Sequence, residues 1–85
     1  MDVEVKFFAT VEEATGTNED SFEQESPEPL GNLIERIVER YPDMNEHIDH
    51  CTIAINLETV NIDEATVKPG DEVAIMPPFG GGNKL

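Results

Sequence analysis

The patterning of the chain predicts an α+β domain: one mixed sheet with one main helix packed on a single face. Three observations carry that prediction. Apolar residues alternate at Val3, Val5 and Phe7, again at Cys51, Ile53 and Ile55, and again at Val73 and Ile75. That two-residue period belongs to strands with one buried face. Between them, Leu30, Leu33, Ile34, Ile37, Val38 and Tyr41 recur at intervals of three and four, giving the single apolar stripe of an amphipathic helix. The resulting order β, β, α, β, β implies a layered sheet-and-helix core, with a helix long enough for a right-handed crossover between strands.

Taken in order, the first strand turns Val3, Val5 and Phe7 inward and Asp2, Glu4 and Lys6 outward, and Phe8 places an aromatic on the outer face. Thr10-Val11-Glu12-Glu13 fits a capping box at a helix start, and Gly16 stands where a left-handed cap would close a single helical turn. Residues 19–26 hold one apolar side chain, Phe22, and read as a charged edge strand paired with the first. The main helix runs from 29 to 40 or 41, with Pro29 in its first turn and Pro42 as its stop. Residues 43–50 read as a polar connector. Strands follow over 51–56, 59–62 and 72–76, the last preceded by Lys68-Pro69-Gly70-Asp71, which has the residues of a tight turn. A structured domain over 1–78 followed by a flexible tail over 79–85 is the expected organisation.

Composition narrows the function classes. A domain of 85 residues buries only about 60% of the surface its unfolded chain exposes, which leaves little room for both a core and a deep catalytic pocket. The 19 acidic and 5 basic side chains give a net charge of −14. Such a field repels nucleic acids and anionic membranes and favours partners with basic surfaces. Solubility or adaptation to a salty cytoplasm accounts for most of those carboxylates. One cysteine, Cys51, excludes an internal disulfide and fits a reducing compartment. The acidic start Met1-Asp2-Val3-Glu4 is not a signal peptide and the apolar runs are too short to span a membrane, so a cytoplasmic protein is expected.

The end of the chain carries the functional signal. Pro77 and Pro78 stop ladder pairing and extend the chain outward, Phe79 follows, and Gly80, Gly81 and Gly82 form a stretch without side chains. At roughly 3.5 Å per residue, the three glycines would reach about 10 Å into a narrow channel of a partner. The stretch Lys68-Pro69-Gly70-Asp71-Glu72-Val73-Ala74-Ile75-Met76-Pro77-Pro78-Phe79-Gly80-Gly81-Gly82 closely resembles the C-terminal signature of the small subunit of molybdopterin synthase. It is also similar to related ubiquitin-like sulfur carriers and modifiers, the MoaD/ThiS family. The opening from Val5 to Gly16 looks like that family's first strand and short helix, and Ile55-Asn56 fits as well.

The resemblance implies a β-grasp (ubiquitin-like) fold and a carrier with no catalysis and no bound cofactor or metal of its own. An activating enzyme would use ATP to adenylate the carboxylate of Gly82, and a sulfur donor would convert the adenylate to a thiocarboxylate. A larger molybdopterin synthase subunit would receive the tail, with Pro77, Pro78, Phe79, Gly80 and Gly81 inserted. In the modifier branch Gly82 would instead be joined to a lysine of another protein. Asn83, Lys84 and Leu85 follow Gly82 here, whereas family members that work directly end at the diglycine. Either a processing protease removes the three residues, or Lys84-Leu85 is an engineered ending, or the protein is a β-grasp interaction domain that is never activated.

Strand parity places Phe8 and Met76 together on the face opposite Phe7 and Ile75, near the tail's exit if the first and last strands are neighbours. That makes them a candidate docking patch. Other signals are weaker. His47 and His50, with Asp43, Asp49 and Cys51 nearby, lack any zinc spacing and read as a solvated connector. Cys51 has the parity of a core residue. Gly80-Gly81-Gly82-Asn83-Lys84 lacks the spacing and following helix of a phosphate-binding loop.

Overall fold

The alternating segments pair into a five-stranded sheet in the order β2 (Glu19–Glu23), β1 (Asp2–Phe7), β7 (Glu72–Met76), β4 (Thr52–Ile55), β5 (Glu58–Val60). These coordinates are a computed structural model that describes residues 1–78; Phe79, Gly80, Gly81, Gly82, Asn83, Lys84 and Leu85 lie outside the described residues. Strands β1 and β7 run parallel, Phe7 opposite Ile75, while β2 and β4 are antiparallel to their neighbours. The sheet is therefore mixed, and β2 and β4 point the same way on either side of the central pair. The chain crosses between them through α2 (Leu30–Arg40).

One continuous core joins the inner face of the sheet to the helix. It takes Val3, Val5 and Phe7 from β1, Phe22 from β2, Ile53 from β4, Val73 and Ile75 from β7, and Leu30, Leu33, Ile34 and Ile37 from α2. Phe7 lies at its centre, 1% exposed, with its ring edge-on to Tyr41 at 5.5 Å. The edge strand β2 buries Phe22 alone, and Arg40 stacks over that ring at 4.0 Å, so a cation and an aliphatic stem close the core where the sheet ends.

Three expectations need correction. The capping box at Thr10 does not form. Helix α1 (Thr10–Thr15) begins one residue earlier than that pattern requires, with Ala9 as its cap and no side-chain capping bond. The chain must first turn out of β1, and Val11 N–H bonds back to Phe8 O at 3.0 Å, so Thr10 is already helical. Gly16 does close the helix in the left-handed region at φ 81°, its N–H donating to Glu12 O. Pro29 is the cap of α2 in extended conformation rather than part of its first turn, because it pairs in β3 (Glu28–Pro29) with β6 (Thr66–Val67). The connector after Pro42 is not merely polar. It winds into two 3₁₀ segments, Pro42–Glu46 and Ile48–His50, that turn Met44 and Ile48 into the core.

Two turns meet at the start of β7. Pro69 and Gly70, the latter at φ 92°, make a turn closed by Asp71 N–H to Lys68 O at 3.0 Å. The Asp71 carboxylate accepts from Lys68 N–H at 2.9 Å and from Asn56 Nδ2 at 3.0 Å, tying this turn to the β4–β5 hairpin. That hairpin turns through Asn56 and Leu57, both at positive φ (52° and 74°), the backbone of a type I′ turn with leucine where glycine is usual.

Beside Phe22, the Asp20 carboxylate accepts from the Tyr41 hydroxyl and from Arg40 Nη1 at 3.0 Å. Burial alone would raise the Asp20 pKa. Hydrogen bonds from Tyr41, Arg40 and the Ser21 amide, with the charge of Arg40, outweigh it and hold the carboxyl below its ordinary value. The bond to Asp20, and then burial, push Tyr41 above its own. Asp20 thus contributes stability that is present above its unfolded pKa of about 3.9 and lost as pH falls through its folded value. Tyr41 contributes stability that is present below about 10 and lost as pH rises through its folded value. Tyr41→Phe is expected to flatten both limbs of a plot of urea midpoint against pH; limbs of unchanged steepness would refute the pairing.

Candidate functional site

The glycine-rich tail leaves from β7, a central strand held on both sides, and not from a sheet edge. Its exit is therefore fixed by two ladders. On one side the Phe8 N–H donates to Ile75 O at 3.1 Å; on the other Thr52 stands opposite Met76. Pro77 is half-buried and Pro78 exposed at this mouth. Because β1 and β7 are parallel neighbours, the condition set by strand parity is met. Phe8 is 46% exposed and Met76 half-buried, both next to the exit. Phe79, Gly80, Gly81 and Gly82 lie outside the described residues.

Away from the mouth, the outer sheet face becomes charged. Lys6 lies between Glu72, at 3.4 Å, and Glu19, at 3.9 Å, and all three side chains are well exposed. Pairs of this kind contribute little stability. Their effect is to set a charged border beside the apolar spot formed by Phe8, Met76 and the smaller Ala74.

On the other flank, Thr52 also lines an open groove of about 500 Å³ with Asp49, Cys51, Val60, Ile62 and Asp63. Cys51 is half-buried and packs against the core, in keeping with its parity, and its thiol donates to His47 O at 3.2 Å. Burial pushes this thiol's pKa up, which keeps it protonated and a poor nucleophile. Among the described residues no group of three or more His, Cys, Asp or Glu is placed to hold a metal ion, and no helix is long and apolar enough to cross a membrane. What this end of the molecule offers is a presented backbone segment beside an apolar spot.

One residue here escaped the sequence. Ala9 directly follows Phe8, is itself exposed, and adopts φ 53°, ψ −125°, a backbone region that glycine favours. No residue-type signal marks such a position, because alanine is unremarkable at a helix start.

Comparison with known proteins agrees with the geometry. Residues 5–82 match the model of the ThiS family. The molybdopterin synthase sulfur carrier subunit of Chlamydomonas reinhardtii is 36% identical over 96% of this chain and all of its own length. Among solved structures, a putative molybdopterin converting factor subunit 1 from Pyrococcus furiosus superposes with a TM-score of 0.80 at 31% identity, over 92% of this chain and 98% of that one. Small archaeal modifier protein 1 of Haloferax volcanii gives 0.79 at 25% identity, over 91% and 97%. Subunit 1 or 2 in the complex of molybdopterin-converting factor from Helicobacter pylori gives 0.67 at 26% identity, over 96% and 100%. The β-grasp architecture, the resemblance in the tail and these likenesses converge: the chain belongs to the ThiS family of ubiquitin-like sulfur carriers, alongside the sulfur carrier subunits of molybdopterin synthase.

Proposed function

We propose that this protein is the sulfur carrier subunit of a molybdopterin synthase, bearing sulfur as a thiocarboxylate on Gly82. The observation that carries the proposal is the tail's departure from the middle of the sheet beside Phe8 and Met76. It supports a tail that enters a partner while the folded domain docks against that partner's surface. The carrier does no chemistry and binds no cofactor itself. A processing protease first removes Asn83-Lys84-Leu85 and frees the Gly82 carboxylate. An activating enzyme then transfers AMP from ATP to that carboxylate, with pyrophosphate leaving. A sulfur donor displaces AMP and leaves the thiocarboxylate.

The loaded tail, Pro77, Pro78, Phe79, Gly80 and Gly81 leading to Gly82, enters the larger synthase subunit. The likeness to a protein of the two-subunit Helicobacter pylori complex supports this choice of partner. Phe8 and Met76 dock against the same subunit. With a net charge of −14, the domain favours basic surfaces on both protein partners and excludes nucleic acid and anionic membranes, and the cycle runs in the cytoplasm. The likeness to the Haloferax volcanii modifier supports a second use of the same glycine, joined to a lysine of another protein.

The test is the intact mass of the protein from its native cells. The expected species ends at Gly82, with an oxygen-to-sulfur exchange in part of the population. Adducts through Gly82 to other proteins would favour the modifier, and an unprocessed chain under all growth conditions would sink both.

A further inference from the structure

We infer that Ala9 is a docking residue, whose methyl group and constrained backbone present Phe8 to an apolar hollow on the larger synthase subunit. This rests on the carrier reading above and adds a contact to it.

Two described residues other than asparagine and glycine have positive φ: Ala9 at 53° and Leu57 at 74°. At Ala9 the free protein would be better served by glycine for two separate reasons. The Cβ crowds the backbone at this φ and ψ, and glycine is also the better helix cap. Among the described residues nothing compensates. Ala9 is exposed, lies outside the core and its satellites, and caps α1 through its backbone only. Its neighbours define the surface it faces. Phe8, 46% exposed, precedes it, and the Phe8 amide is bonded to Ile75, one residue before Met76 and two before the tail begins. The turn from Phe8 to Val11, closed at 3.0 Å, fixes the backbone that bears the exposed ring. An alanine restricts that turn more than glycine does, so the ring is held ready for a partner that receives the tail at the same mouth. The occupant follows from continuity: a partner that takes up the chain at Pro77 and Pro78 meets Phe8, whose amide is bonded to Ile75, and Ala9 directly after it.

Leu57 provides the control. It too has a positive φ and is 91% exposed, but it sits on the β4–β5 turn, beside the start of β7 and at the far end of the strand from the tail.

The experiment uses chains ending at Gly82 and the matched larger subunit, with thermal melting of the free carrier and affinity for the subunit measured side by side. Ala9→Gly is expected to raise the melting temperature by roughly 4 °C or more while weakening association about fivefold, through the lost methyl and the loosened turn. Leu57→Gly is expected to raise the melting temperature likewise and leave affinity unchanged. A merely structural alanine predicts the opposite for Ala9→Gly: a more stable carrier that binds as well or better. That result overturns the proposal, as does equal weakening by both variants. Phe8→Ala separates the levels. If it too leaves affinity unchanged, the docking face assigned to the carrier is wrong; if it weakens binding and Ala9→Gly does not, only the role of Ala9 fails.

Discussion

Phe7→Ala is expected to cost about 3–5 kcal/mol, most of the stability available to a domain this small. The ring is 1% exposed, lies edge-on to Tyr41, and projects from β1 into the core shared with α2, so its removal leaves a cavity between the inner face of the sheet and the end of that helix. The sheet is held by its hydrogen-bond ladders and collapses onto the gap only in part. Urea unfolding should show a midpoint lowered severely or no folded baseline at all. Phe8→Ala, one residue further on, should change stability by only about 0.5 kcal/mol, because that ring is already 46% exposed. Its effect belongs in complex formation, with an expected loss of at least about tenfold in affinity for the larger subunit, the range of an aromatic anchor at an interface. Adjacent phenylalanines with separate consequences, one for folding and one for association, are a sharp check on strand parity. A Phe8→Ala chain that unfolds, or a Phe7→Ala chain that melts normally, would show that the faces have been exchanged.

The second large effect concerns the position of the carboxylate. A chain ending at Gly82 is expected to acquire sulfur from the matched activating enzyme, ATP and a sulfur donor, seen as an oxygen-to-sulfur exchange in the intact mass. The chain that continues through Asn83-Lys84-Leu85 should acquire none at Gly82, since that residue then offers only an amide. The expected difference is all or nothing. Gly82→Ala in the shorter chain should lower the rate of loading by orders of magnitude if the channel admits only bare backbone. Equal loading of both chains would show that activation does not need a free Gly82 and would remove processing from the cycle. Loading of neither would remove the carrier itself.

Most of the sheet was legible because its strands are buried on one face and bear that burial as alternation: Val3, Val5 and Phe7 in β1, Val73 and Ile75 in β7. Helix α2 was legible from its stripe. What escaped was shorter than any period. Strands β3 and β6 have two residues each, too few to show a period. The 3₁₀ segments bury Met44 and Ile48 at a helical interval of four, but two apolar residues among Asp43, Asn45, Glu46, His47, Asp49 and His50 make too short a stripe to register, so their stretch looked like a solvated connector. The misplaced capping box has a local cause: Thr10 and Glu13 have the right types and spacing, but the exit from β1 spends Ala9 on the turn and moves the helix start by one residue. At the site, parity brought Phe8 and Met76 to one face, and only the parallel pairing of β1 with β7 brought them to one place. The strain at Ala9 left no trace in residue type.

The placement of β7 between β1 and β4 also has a mechanical side. A strand at the margin of a sheet, pulled at its end, unzips one hydrogen bond at a time. Here β7 runs parallel to β1, so tension on the chain beyond Pro78, opposed by a grip on the start of β1, drags the two strands lengthwise past each other. Their bonds then share the load, and the antiparallel ladder to β4 resists on the other side. On the proposed carrier reading the domain would serve as an anchor too: a partner that drew the tail into a channel, or released it, would load these ladders together and leave the body intact.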